Sequence, residues 1–336
     1  MNPRHRRLLI PGLLIVLLVV VVVVSFVRRA EAAEPTPRST EVSRLTDPRI
    51  TESSGLAISM RHRDLGYTIN DSGDSPRIFA FRVSTGRTVG VTTVRGVTWR
   101  DTEAMALDGD GRLWVADTGD NQSLRRDVAL YALDEPGPAT ATVDATRYPL
   151  RYADGSQDVE SLAIDPTSGV KLLVTKGVLG GDVLRLPARL STSEANVPGS
   201  TGWSAPLLAT DAAWSPDGDT ILVRNYISVQ LLDARTGDVR REYPLPPQEQ
   251  GETIAFDVGG RSYLIGSEGT SSPLLRIAFS PTSAPTAAAG PTPRASGRPA
   301  ATDRAADRGL GAWPLVGAGV AVALVAGAAV VLRRSR

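Results

Sequence analysis

Cysteine is absent from the 336 residues, which excludes disulfides, a thiol nucleophile and lipid attachment through sulfur. Histidine is nearly absent. His5 lies in the amino-terminal segment and His62 sits between Arg61 and Arg63 in a turn, so neither a Ser-His-Asp triad nor a histidine-ligated zinc site has its ligands. Lysine occurs only at Lys171 and Lys176. Aromatic residues make up 5% of the chain; Trp99, Trp114, Trp203 and Trp214 fall in or beside apolar strand segments, where core packing is the expected role. No glycine-rich phosphate loop leads from a strand into a helix.

What is present begins with two apolar end segments. Arg4, Arg6 and Arg7 precede a run from Leu8 to Phe26, and Ala30-Glu31-Ala32 offers a small-x-small cleavage site before Ala33. Residues 1–33 therefore read as a secretory signal, or as a retained anchor, since Arg28-Arg29 separates the run from the cleavage site. Residues 34–40 read as a linker. Near the other end, Trp313 to Leu332 carries no charge, long enough to cross a hydrocarbon core of roughly 30 Å. The expected transmembrane helix spans 311–332, and Arg333, Arg334 and Arg336 place the tail 333–336 in the cytoplasm. Residues 281–310, rich in Pro, Ala, Ser and Thr, read as a stalk. The protein is thus expected in the cell membrane, single-pass or double-pass, with its main domain outside the cytoplasm.

All 36 acidic residues lie after residue 30, together with 29 basic residues before residue 333, so the outer part carries a net charge of about −7. That argues against nucleic acid as a partner and is compatible with divalent cations.

Residues 41–280 contain a repeat. A short apolar phrase recurs at Ser54 to Ile58, Glu103 to Leu107, Glu160 to Ile164, Thr210 to Trp214 and Glu252 to Phe256; its marker alanines are 49, 57, 50 and 42 residues apart. Each copy is followed by a second apolar strand, with turn signals such as Asp108-Gly109-Asp110-Gly111 between. Short strands repeating every 40–50 residues signal an all-β propeller of about five blades, a sixth being compatible with the length. Glu41 to Leu45 is expected to close the last blade.

Ser215-Pro216-Asp217-Gly218-Asp219 resembles the turn phrase of TolB-type and WD-like propellers. Ser53 to Ala57 with Asn70 to Asp74, and Asp101-Thr102-Glu103 with Ala116 to Asn121, resemble secreted bacterial propellers of the phytase-like esterase group. The later blades lack the Asp-x-Gly-Asp phrase. That second resemblance brings a calcium-dependent phosphoesterase or lactonase into view.

In a propeller the residue opening each innermost strand and the residue closing the next strand approach one channel mouth. These positions give Glu103 with Asp117, Glu160 with Lys176, Thr210 with Arg224, and Glu252 with Glu268, while Asp71 and Asp74 come from the first blade and Asp120 from the second. Glu103, Asp117, Glu252 and Glu268 are the candidate metal ligands, since Ca²⁺ takes six to eight oxygens in flexible geometry. Lys176 and Arg224 would suit an anionic ligand, or else pair with acids for structure alone. The expected function is a ligand- or protein-binding or scaffolding module, with Ca²⁺ at the mouth as a candidate; hydrolysis at the same mouth is the alternative.

Overall fold

A computed structural model describes residues 37–278, and the expectations for the signal, stalk and carboxyl-terminal helix lie outside them. Among the described residues every regular element is a strand, and no helix is long and apolar enough to cross a membrane. Twenty-one strands form five antiparallel sheets, with a single parallel strand added to one of them.

Blade 1 is β2 (Ser53–Ile58), β3 (Leu65–Asn70), β4 (Arg77–Arg82) and β5 (Thr88–Arg95). Blade 2 is β6 (Thr102–Leu107), β7 (Arg112–Asp117), β8 (Ala129–Asp134) and β10 (Thr146–Pro149). Blade 3 is β11 (Val159–Ile164), β12 (Lys171–Thr175), β13 (Gly181–Arg185) and β14 (Gly199–Ala205). Blade 4 is β15 (Asp211–Trp214), β16 (Thr220–Arg224), β17 (Ser228–Asp233) and β18 (Val239–Pro244). Blade 5 is β19 (Gly251–Phe256), β20 (Ser262–Ser267) and β21 (Pro273–Ala278), completed by β1 (Ser39–Arg44) from the start of the chain. The closing strand expected at Glu41 to Leu45 is therefore β1. One strand had no expectation: β9 (Ala141–Asp144), from the long connection in blade 2, pairs in parallel with β5 of blade 1.

Blades pack face to face, so their strands bury both sides instead of one. In β4, Ile78 and Ala80 enter the core shared with blade 2, while Phe79 and Phe81 enter the core shared with blade 5. Five such cores, one per blade junction, close the ring. Trp99 and Trp114 are buried in two of them, in keeping with the packing role expected for the tryptophans. The innermost strands touch in the order β2, β6, β11, β15, β19 and back to β2, and so line one central channel.

Strand direction gives that channel two unlike ends. Each inner strand starts at the end carrying the acids and finishes at Ile58, Leu107, Ile164, Trp214 or Phe256, around an open, mainly apolar recess. The described chain both begins and stops on this apolar side: Ser39 pairs with Ile277, and Ala278 pairs with Ser262 just beyond the turn at Asp257.

Candidate functional site

The acidic mouth is built by a repeated irregularity. In β2, β6, β11 and β19 the register against the next strand slips by one residue at the same place, between Ser53 and Gly55, Thr102 and Ala104, Val159 and Ser161, and Gly251 and Thr253. The extra residues are Ser54, Glu103, Glu160 and Glu252, all buried. A β-bulge leaves one residue outside the ladder and re-aims its side chain. Here four bulges aim one serine and three glutamates at the channel mouth. In the fourth blade Thr210 holds the matching place and donates instead to Gly251 O.

In every blade but the fourth, two further positions complete the rim. Asp71 N donates to Glu52 O, Lys176 N to Asp158 O and Glu268 N to Gln250 O, which makes Asp71, Lys176 and Glu268 equivalent, as are Glu52, Asp158 and Gln250. In blade 2 the same bond runs from Gly119 N to Asp101 O. Where other blades bring a side chain, blade 2 brings none. A Cβ on Gly119 would sit 2.2 Å from Glu103 Oε1 and 2.7 Å from Asp101 Oδ2, so the glycine opens space beside those two carboxyls. Asp71 from blade 1 faces the same space: carboxylate oxygens of Asp71, Asp101 and Glu103 all lie within 4.8 Å of one another. Two oxygens about 2.4 Å from one Ca²⁺ can be no further apart than about 4.8 Å, so the three fit a single ion of that size. Ser54 Oγ donates to Glu103 Oε2 at 3.2 Å and fixes its orientation.

Across the mouth stands the cationic half. Lys176 Nζ donates to Glu160 Oε2 at 2.9 Å and lies 5.8 Å from the centre of the Tyr226 ring. Glu160 Oε1 is buried and accepts from no donor. Gln250 Nε2 donates to Glu252 Oε1 at 3.3 Å.

The acids crowd one another out of water, and their proton affinities rise accordingly. Burial first, then the charge of Asp71, pushes Asp101 up to about 7. Burial pushes Glu160 up to about 8 even though Lys176 pulls the other way, because Asp158 and Glu252 add to the rise. Glu268 is pushed up to about 8 by burial and then by Glu252 and Asp71. Burial likewise raises Asp71, Asp158 and Glu252, and Glu103 most strongly, with Glu160 adding to it. Burial works against the Lys176 ammonium, but Glu160, Tyr226 and Glu252 outweigh it and hold the ammonium charged. A rim of carboxyls that ionise late is a rim that favours an incoming cation.

Of the residues picked from sequence, the structure brings Asp71, Glu103, Glu160, Lys176, Glu252 and Glu268 to this rim. It gives the other four different surroundings. Asp117 is buried, forms an ion pair with Arg125 at 2.8 Å and accepts the Asp101 amide at 3.0 Å, so it organises the loop carrying Asp101. Asp120 accepts the amides of Leu124 and Arg125. Asp74 accepts from Asn70 and pairs with Arg77 within its own turn. Arg224 is wholly buried beneath the rim, donating to Thr253 O at 3.0 Å and Gln248 Oε1 at 3.1 Å. Tyr226, two residues on, faces Lys176 in its place. Sequence reading passed over Asp101, Asp158, Tyr226 and Gln250. The signal for the first two was an Asp-x-Glu spacing, present at 101–103 and 158–160.

Neither the protein-family models nor the curated proteins give a match to this chain. Among solved structures, the Kuenenia stuttgartiensis hydrazine synthase is similar at 15% identity and a TM-score of 0.37, over 65% of this chain and 56% of that one. A likeness at that level lends nothing to the functional argument, which rests on the side chains.

Proposed function

We propose that this chain is a membrane-tethered, extracytoplasmic binding propeller whose acidic mouth holds Ca²⁺. The observation that carries this reading is the convergence of Asp71, Asp101 and Glu103 within 4.8 Å around the space left by Gly119. Hard carboxylate oxygens in a partly buried set suit Ca²⁺, which accepts irregular geometry, better than Mg²⁺, which demands tighter octahedral geometry and keeps its waters. The tether is read from the apolar runs Leu8 to Phe26 and Trp313 to Leu332.

An ion bound only by the folded state raises the melting temperature with concentration. Ca²⁺ added to the full chain in nanodiscs is expected to raise it at pH 8, with Mg²⁺ much weaker and Asp101→Asn unresponsive. A wild-type protein indifferent to Ca²⁺ refutes the reading.

A second reading, Ca²⁺-dependent hydrolysis of a phosphate ester or lactone, gains from Lys176, a fixed cation facing the same mouth. Ca²⁺-dependent turnover lost in Lys176→Met would favour it; silence across phosphomonoesters and lactones leaves binding.

A further inference from the structure

Beside the cationic half of the mouth, blades 3 and 4 expose large apolar side chains that nothing in the fold requires to be exposed. Val178 is 77% exposed and Leu179 98%; Leu207 and Ile227 are 40% and 50% exposed. The loops that carry them are knit together: Leu208 N donates to Gly177 O at 2.8 Å, and Asn225 Nδ2 donates to Leu207 O at 3.2 Å. They are not loose tips. A Cβ on Gly177 would lie 2.0 Å from Gly180 O, and one on Gly181 2.0 Å from Thr175 O, so tight glycine turns push Val178 and Leu179 outward. Leu208 holds φ at 51°, in the left-handed region that costs a non-glycine residue energy, to complete the same join. Apolar surface held out in a defined shape next to a polar cleft marks an interaction site.

We infer that Val178, Leu179, Leu207 and Ile227 form a docking lip for a polypeptide partner that carries a basic side chain next to apolar ones. The apolar groups cover the lip while the lysine or arginine enters the acidic mouth beside it. Charge complementarity selects this occupant: Asp158, Glu160, Glu252 and Glu268 surround one ammonium, Lys176, which Glu160 already pairs at 2.9 Å. The inference rests on the mouth being a binding site, and not on Ca²⁺ occupying it.

The test is selection from a random-peptide display library against the full chain in nanodiscs, followed by titration of the synthetic consensus peptide. Enriched peptides are expected to pair Lys or Arg with Leu, Ile, Val or Phe. Affinity should fall about tenfold or more in a Val178→Ser, Leu179→Ser double variant, and likewise when the peptide's basic residue becomes Glu. The double variant should keep the wild-type melting response to Ca²⁺, which separates failure of the lip from failure of the mouth. Three results would overturn the inference: no enrichment, equal binding of uncharged apolar peptides, or peptide affinity unchanged in the double variant. So would wild-type self-association or anionic-vesicle binding that the double variant abolishes, because either would assign the lip to another occupant.

Discussion

The two ends of the central channel are made by the same five strands and share almost no chemistry. At one end Glu103, Glu160 and Glu252 stand out of the ladder on bulges; at the other, four residues along each strand, Leu107, Ile164 and Phe256 close an apolar recess. The apolar end follows the regular pleat and needs only hydrophobic side chains at matching positions. The acidic end breaks the pleat in four blades out of five, at the same register. A bulge costs ladder hydrogen bonds, and burying mutually repelling carboxyls costs more, so neither serves the stability of the ring. The lesson is that the apolar end belongs to the scaffold, whereas the acidic end is a departure from the scaffold that a bound cation would compensate.

That contrast can be broken in graded ways. The largest effect comes from attacking what both ends share. Phe79→Ala removes a wholly buried ring from the core between blades 1 and 5 and should cost about 3–5 kcal/mol in chemical denaturation, without distinguishing one end from the other. Next is cation binding itself. At a free concentration a hundred times its dissociation constant, Ca²⁺ should stabilise the wild type by about 2.7 kcal/mol. Gly119→Ala, which places a methyl group against Glu103 and Asp101, should lose that gain, while Val258→Ser at the apolar end keeps it.

A third prediction concerns pH. Asp101, Glu160 and Glu268 ionise at about 7, 8 and 8 in the folded chain, against 3.8 for an ordinary Asp and 4.5 for an ordinary Glu. A carboxyl raised on folding contributes stability that is fully present below its ordinary value and is lost as pH rises through the folded one. The cation-free protein should therefore melt at progressively lower temperature between about pH 4.5 and 8, and Glu268→Gln should flatten the slope. The smallest effect is expected at the apolar rim. Val258→Ser, half exposed, should shift stability by no more than about 0.5 kcal/mol.

The same contrast explains what the sequence could disclose. The repeated apolar phrase located all five inner strands and their return strands, because burial on both faces leaves a dense hydrophobic record. It also found β1 as the closing strand. The outer strands β14 and β18 left little trace because their residues are largely exposed, and β9 is a short polar stretch that pairs only through tertiary contact. At the mouth, the glutamates on bulges were legible from their place in the repeated phrase. Their partners were not. Asp117 lies two residues short of Gly119, the rim position of its blade, and Arg224 two short of Tyr226, so both stay in the strand ladder below the rim. A bulge has no signature in hydrophobic pattern, so counting from the strand could not reveal the shift. Gly119 was visible as a glycine, but its meaning depends on equivalence with Asp71, Lys176 and Glu268, which only the backbone hydrogen bonds establish.

Cation binding at a rim of raised carboxyls must displace protons, and this is the most direct way to examine the central claim. Ca²⁺ titrated calorimetrically into the full chain at pH 7, in two buffers of different ionisation heat, should give a saturable single-site isotherm whose apparent enthalpy differs between the buffers by the heat of the released protons. Asp101→Asn should lose most of the binding. Absence of binding heat in both buffers, or binding with no proton release and no dependence on Asp101, would contradict the account.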